Sequence, residues 1–348
     1  MPELDVPPVA PTAPDSAEAR IAVVIPCYRV KDQILGVIAR IGPEVWRIYV
    51  VDDCCPQSTG EFVQRSVNDG RVRVLRHEVN QGVGGAVISG YCQALRDGAD
   101  VMVKIDGDGQ MDPRLLPRFV APILAGEADY TKGNRFYDPS SLGAMPAMRL
   151  FGNAVLSFMA KVSTGYWNLF DPTNGYTAID ARVFSWLRPE ALSKRYFFET
   201  DILFRLNTLR AVVADVPMDA VYGDEHSNLR ISKVMFEFLW KHLRNASKRI
   251  LYNYFLRDLS LASLELIVGS LLLAFGVVFG AVEWGAAIRA SRAAPLGTIM
   301  LAALPVLLGT QMLLSFLGFD VASVPTRAAG RRLGRRSDVE RTIGLSPR

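Results

Sequence analysis

The clearest candidate chemistry lies in the stretch Val101-Met-Val-Lys-Ile-Asp-Gly-Asp-Gly-Gln-Met-Asp-Pro113. Val101, Val103 and Ile105 alternate as in a half-buried strand, and the chain then presents Asp106 and Asp108 with a glycine after each. Two carboxylates on alternate residues repel one another unless a proton or cation lies between them. With Gln110 beside them they form a set of hard oxygen ligands suited to Mg²⁺ or Mn²⁺ carrying a diphosphate. A turn with solvated acids explains this stretch equally well when it is taken alone.

Other reactive groups sit at similar places. Val24-Ile-Pro-Cys-Tyr28 and Val50-Val-Asp-Asp53 each end an apolar run. Asp53 can accept a hydrogen bond from a nucleotide base and Tyr28 can stack on it, although strand-end aspartates are common. Asn80-Gln-Gly-Val-Gly-Gly-Ala86 starts a helix, where backbone N–H groups favour anions. It fails the dinucleotide fingerprint, because the third glycine position holds Val87 and the run follows the third strand. Close helix–sheet packing is an equally good reading. Glu199 and Asp201 would supply a base if the acceptor were a hydroxyl, or serve as acids at a helix N-terminus. His77, His226 and His242 show no ligand spacing.

Elements able to position these groups alternate along the chain. Strands are expected at 21–26, 48–52, 72–76, 101–105 and 129–132, with helices at 34–41 and 83–96. This order implies an α/β fold with a mainly parallel sheet covered on both faces. Ligands of such sheets bind beyond the carboxyl ends of the strands, so Pro26, Tyr28, Asp53, Asp106 and Asp108 should converge on one crevice.

The 348 residues, half of them hydrophobic, suffice for one large domain and a smaller unit. The net charge of +4 conceals two basic segments, 227–258 and 321–348, each with seven Lys/Arg against two acids. In the first, Ile231, Val234, Met235, Phe238 and Leu239 repeat at helical spacing while Lys233, Lys241, Arg244 and Lys248 keep to another side. That pattern fits a helix lying in a membrane interface, with a surface helix packed on the domain as the alternative. Residues 266–282 and 296–319 are apolar runs of spanning length. Only Arg289 and Arg292 lie between them, whereas Arg327, Arg331, Arg332, Arg335 and Arg336 follow, so the tail and the catalytic domain are expected on the cytoplasmic side. Basic charge beside apolar spans points to a lipid bilayer rather than nucleic acid. Cys27, Cys54, Cys55 and Cys92 lack zinc or CxxC spacing and are expected as reduced thiols. The expected division is a disordered lead-in at 1–19, a catalytic domain at 20–226, interface helices at 227–260, two spans at 261–320 and a basic tail at 321–348.

Taken in order, VIPCY, VVDD, NQGVGGA, DGDGQMDP, GNRF and DPTNGY resemble the family 2 glycosyltransferases of GT-A fold over about residues 20–235. More narrowly, the set is similar to the dolichyl- or polyprenyl-phosphate sugar synthases. The resemblance implies that Asp106, Asp108 and Gln110 hold a Mg²⁺ or Mn²⁺ ion. It places Pro26, Tyr28, Asp53, Gly82, Asp106 and Lys233 at the nucleotide-sugar donor, and Arg135, Arg149 and Arg230 at the phosphate of an undecaprenyl- or dolichyl-type acceptor. Asp171 of DPTNGY would face the reaction centre, with Asp201 as a further acid. The implied reaction is inverting transfer of a hexose from a UDP- or GDP-hexose to polyprenyl phosphate. The family's usual Asn-Glu after the first-strand tyrosine is Arg29-Val30 here, and Cys54-Cys55 replace a polar pair. A phosphate-monoester acceptor is largely ionised at neutral pH, so it needs cationic positioning more than a base. The alternatives are transfer to a hydroxyl acceptor and a non-catalytic sugar-nucleotide-binding membrane module. The sequence also leaves room for a homo-oligomer.

Overall fold

The computed structural model describes residues 19–137, 147–172, 174–218 and 231–334. Its first half alternates β1 (Ile21–Cys27), α1 (Lys31–Ala39), β2 (Val45–Asp52), α2 (Thr59–Ser66), β3 (Val72–Arg76), α3 (Val83–Asp97) and β4 (Val101–Lys104). α4 (Leu116–Leu124), β5 (Tyr130–Asn134), α5 (Ala147–Thr164), β6 (Thr177–Asp180), α6 (Ala181–Trp186), α7 (Phe198–Thr208) and β7 (Val213–Pro217) follow. The strands form one sheet in the order β3-β2-β1-β4-β6-β5-β7. Successive side chains of a strand enter opposite layers. Val24, Tyr49 and Met102 pack with Tyr91, Phe184 and Leu203 on one face. Val23, Val50 and Val103 pack with Phe119 and Tyr176 on the other.

The expected parallel sheet is present, with one exception. β6 runs antiparallel to both its neighbours, pairing Thr177 with Lys104 of β4 and with Lys132 of β5. Four residues are too few to display an alternating pattern, so this strand leaves little trace in the sequence. Its reversed direction matters for the site. The segment preceding β6, residues 171–176, arrives where β4 and β5 end.

Beyond the sheet lie α8 (Ile231–Leu251), a π-type turn (Tyr252–Leu256), α9 (Leu261–Arg289), α10 (Leu296–Ala322) and α11 (Gly330–Leu333). α9 and α10 are long and apolar enough to cross a membrane. They pack on each other through glycines, since a Cβ at Gly309 would stand 2.6 Å from Leu273 N and one at Gly276 2.7 Å from Ala302 O. Leu271, Val278, Leu307 and Leu308 face outward. Both helices extend past the apolar runs, because Glu265 and Glu283 interrupt the hydropathy of α9 but not its helix.

α8 packs one side on the α/β domain and leaves another exposed. It buries His242, Asn245, Ala246 and Arg249, and exposes Phe236, Leu239, Trp240 and Leu243. Ser163 Oγ lies 2.8 Å from His242 Nδ1, and burial pushes the imidazole down to about 4, so it is neutral. The stripe against the domain is mixed, His242, Asn245 and Arg249 lying with Ala246 and with Phe238, which packs on Phe197; the exposed side carries Phe236, Leu239, Trp240 and Leu243 beside Glu237, Arg244 and Lys248.

The hairpin is tied to the domain at its base. Asp320 of α10 is buried and accepts from Arg249 Nη1 (2.5 Å) and Nη2 (2.9 Å), from Tyr254 OH (2.6 Å) and from Trp167 Nε1 (2.9 Å). The chain then returns to the amino end of β5, where Ala329 N and Gly330 N donate to the two oxygens of Asp129 at 2.7 Å each. The basic segment expected at 321–348 touches the α/β domain through Ala329 and Gly330. Both ends of the hairpin thus lie on the domain's side.

Candidate active site

At the carboxyl end of β2, two adjacent aspartates organise the loops around them. Asp52 accepts from Cys55 N at 2.7 Å and Gly60 N at 2.6 Å, which closes the turn into α2. Asp53 is buried and accepts from Gln81 N (2.8 Å) and Gly82 N (2.7 Å), while His77 Nδ1 lies 2.7 Å from its Oδ1. His77 Nε2 in turn meets Ser89 Oγ at 2.9 Å. The histidine was invisible as a site residue because its partner lies on another strand, although both occupy strand ends.

The glycine run follows the packing reading. Gly82 has φ +86°, and a Cβ there would stand 2.7 Å from Lys194 O; one at Gly84 would stand 2.5 Å from Ser193 O. Gly85 N donates to Lys194 O at 2.9 Å. Pro26 lies within β1 beside this loop system, and Tyr28 just beyond it is exposed, with the Arg29 guanidinium 5.4 Å over its ring.

The carboxylate stretch is built around a buried lysine. Lys104 Nζ lies 2.9 Å from Asp106 Oδ1 and 3.3 Å from Glu199 Oε1. Burial alone would lower its pKa, but the Asp106 and Glu199 carboxylates overcome this and hold the ammonium well above its ordinary range. Asp106 Oδ1 is buried and, among the described residues, has the Lys104 ammonium as its one close partner. Asp108 Oδ1 accepts from Gln110 N at 3.0 Å, across Gly109 at φ +81°. A Cβ at Gly175 would stand 2.5 Å from Lys104 Nζ and 2.7 Å from Asp106 Oδ2, so only glycine lets this backbone cover the pair.

The same segment reaches a second charge pair. Asp171 is buried and receives Arg135 Nε at 2.7 Å and Nη2 at 3.1 Å, a two-point contact that fixes the guanidinium plane. The Arg135 side chain is 33% exposed, so it is accessible as well as fixed. Lys132, fully buried in β5, donates to Asn174 O. Burial lowers it to about 8, against the pull of Glu199 and Asp171. Gly175 therefore meets Asp106 and Asp171 meets Arg135. Lys104 and Lys132 were missed in the sequence; the visible signal for Lys104 is a lysine ending an otherwise apolar strand, and for Lys132 a lysine in the middle of a short one.

Asp201, read from the sequence either as a base or as a helix N-terminal acid, has structural partners. Its carboxylate accepts from Ser193 N (2.9 Å), Arg205 Nε (3.3 Å) and Asn245 Nδ2 (3.1 Å), in the first turn of α7. It is the structural helix-terminus acid, and its neighbour Glu199 is the one that meets Lys104. Arg149 and Lys233 lie in the first turns of α5 and α8, with side chains outside the described part, and Arg230 lies outside the described residues. Among the described residues no three His, Cys, Asp or Glu side chains gather as a metal cluster.

Comparison with known proteins extends these observations. Residues 22–187 match the family model described as glycosyl transferase family 2. The chain is 31% identical over 206 residues to an undecaprenyl-phosphate mannosyltransferase of Micrococcus luteus, covering 58% of this chain and 84% of that one. It is 28% identical over 236 residues to a UDP-N-acetylglucosamine–dolichyl-phosphate N-acetylglucosaminyltransferase of Methanococcus voltae, covering 64% and 93%. Among solved structures it is similar to glucosyl-3-phosphoglycerate synthase of Mycobacterium tuberculosis, in complex with Mn²⁺, UDP and glucosyl-3-phosphoglycerate. That likeness has 21% identity and a TM-score of 0.48, over 66% of this chain and 80% of that one.

Proposed function

The chain belongs to glycosyl transferase family 2, and we propose that within it this protein moves a hexose from a nucleotide-sugar to polyprenyl phosphate. The named activities of the Micrococcus and Methanococcus relatives support a lipid-phosphate acceptor. What supports it most in the geometry is the segment before β6, which rests Gly175 on Lys104 and Asp106 and holds Arg135 through Asp171. Donor carboxylates and acceptor arginine thus share one support.

In this reading the donor's base lies near Tyr28 and the loop organised by Asp53, with Lys233 closing toward the diphosphate. Asp106, Asp108 and Gln110 would hold Mg²⁺ or Mn²⁺, and their hard oxygens, with Asp106 Oδ1 accepting nothing besides the Lys104 ion pair among the described residues, fit that role. Two carboxylates and an amide would leave room among hard oxygen ligands for the donor's diphosphate. When bound, it neutralises charge gathering on the leaving nucleoside diphosphate. Arg135, with Arg149 and Arg230, orients the acceptor phosphate so that its oxygen attacks the anomeric carbon opposite the leaving group, with inversion. Asp171 fixes the plane of Arg135 and removes no proton, because the phosphate is already ionised. A hydroxyl acceptor would need a base, and Asp201 is committed elsewhere. The exposed Phe236, Leu239, Trp240 and Leu243 of α8 and the two spans bring this crevice to the bilayer, on the cytoplasmic face by the distribution of arginines.

The test is to incubate purified full-length protein with UDP- and GDP-hexoses, Mn²⁺ or Mg²⁺, and either a short polyprenyl phosphate or the matching polyprenol. Mass spectrometry should find a hexosylated polyprenyl phosphate and no hexosylated polyprenol. Transfer to the polyprenol alone would overturn the reading.

A further inference from the structure

Where the α/β domain meets the two spans there is a polar pocket of about 220 Å³ that the transfer reaction does not use. Three arginines line it: Arg210 after α7, Arg249 of α8 and Arg257 after the π-type turn. Asp320 is already consumed by Arg249, and Asp258, the other acid in the lining, is exposed. Arg257 Nη1 donates to Thr208 O at 2.8 Å. The Arg210 guanidinium makes no hydrogen bond or ion pair among the described residues, and burial and then Arg257 weaken its hold on its proton. Arg249 is itself almost wholly buried, yet its Nε has no acceptor. Arg210 is half-buried and Arg257 exposed, so both keep their charge, and each disfavours a further cation nearby while favouring an anion between them. The pocket has the charge and the donors of an anion site.

We propose that this pocket binds a phosphate group between Arg210 and Arg257, matching the planar fork of guanidinium to phosphate oxygens. Its level in the molecule favours a phosphate carried by an anionic membrane lipid. The lining includes Ser260, which caps the start of α9, and Ser323, just past the end of α10. Leu256, Leu259 and Leu261 beside it are exposed. If α9 and α10 are spans, on which this part rests, the pocket opens at headgroup depth, where basic recesses between helices recognise anionic lipids. Free inorganic phosphate offers the same chemistry without the membrane.

The experiment follows thermal unfolding of the full-length protein in detergent with added phosphatidylglycerol, with added phosphatidylcholine, or with inorganic phosphate at matched ionic strength. Phosphatidylglycerol should raise the melting temperature where phosphatidylcholine does not. Arg210→Gln should abolish that rise while leaving the phosphatidylcholine value unchanged, because Arg210 has no protein partner to lose. Arg210→Lys should keep part of it, and Arg257→Gln should reduce it. A rise with inorganic phosphate alone, also abolished by Arg210→Gln, supports the phosphate site with a free anion as ligand and separates it from the membrane reading. A rise that survives Arg210→Gln, or none with either phosphate source, overturns the proposal. So does an Arg210→Gln protein destabilised equally in every condition, which would make the arginine structural.

Discussion

Gly175→Ala tests whether the segment before β6 positions the carboxylates of the site. The new Cβ would stand 2.5 Å from Lys104 Nζ and 2.7 Å from Asp106 Oδ2, whereas ordinary contact begins near 3.4 Å. One side of the contact must therefore move by roughly 1 Å. Lys104 has little room to swing, being buried and held between Asp106 and Glu199. The displacement then passes to Asp106 or to the backbone that carries Asp171. Overpacking of this kind costs about 1–3 kcal/mol, which a folded domain tolerates. A shift of about 1 Å in a positioning group can cost about 10²-fold in rate. The assay is the initial rate of lipid-linked hexose formation at saturating donor, read beside the melting temperature. The variant should remain folded, melt a few degrees lower and transfer about a hundredfold more slowly. A folded Gly175→Ala protein with wild-type rate would refute the idea that this packing sets the site.

Other predictions rest on separate contacts. Asp320→Asn leaves Arg249 buried without its counter-ion, and should cost about 3–5 kcal/mol, read as a lower melting temperature and faster tryptic cleavage near Arg327. Asp53→Ala strands the N–H groups of Gln81 and Gly82 together with His77; about 2–4 kcal/mol of stability should be lost, with nucleotide binding weakened in calorimetry. Lys132 titrates near 8 in the folded chain against about 10.4 when unfolded, so the unfolded state holds the extra proton between those values. Its contribution to stability therefore rises with pH from about 8 to 10.4, and the wild-type minus Lys132→Met difference in melting temperature should follow that rise. A difference flat across that window would contradict it.

The sheet and the carboxyl-end crevice were legible because parallel strands buried on both faces write continuous apolar runs, as Val101, Val103 and Ile105 do. Asp106, Asp108 and Gln110 stood out by spacing alone. β6 did not, and with it went the reason that Gly175 reaches the end of β4 and Asp171 the residue after β5. The lysines were hidden for a related cause. A lysine at a strand end is ordinary in sequence, and only the antiparallel insertion and α7 show that Lys104 meets two acids. Asp201 and Glu199 illustrate helix geometry: two residues apart on α7, they point to different neighbours, one to Asn245 of α8 and the other to Lys104. The docking of residues 329 and 330 on Asp129 spans two hundred positions and leaves no local pattern.

The central claim is that Arg135, held by Asp171, receives the lipid phosphate while the carboxylates of β4 serve the donor. Its most direct test is the transfer rate against polyprenyl phosphate concentration for wild type and Arg135→Gln, with donor affinity measured separately by calorimetry. In Arg135→Gln the KM for polyprenyl phosphate should rise about tenfold or more, with donor affinity unchanged. An unchanged KM for the lipid, with donor binding weakened instead, would contradict it.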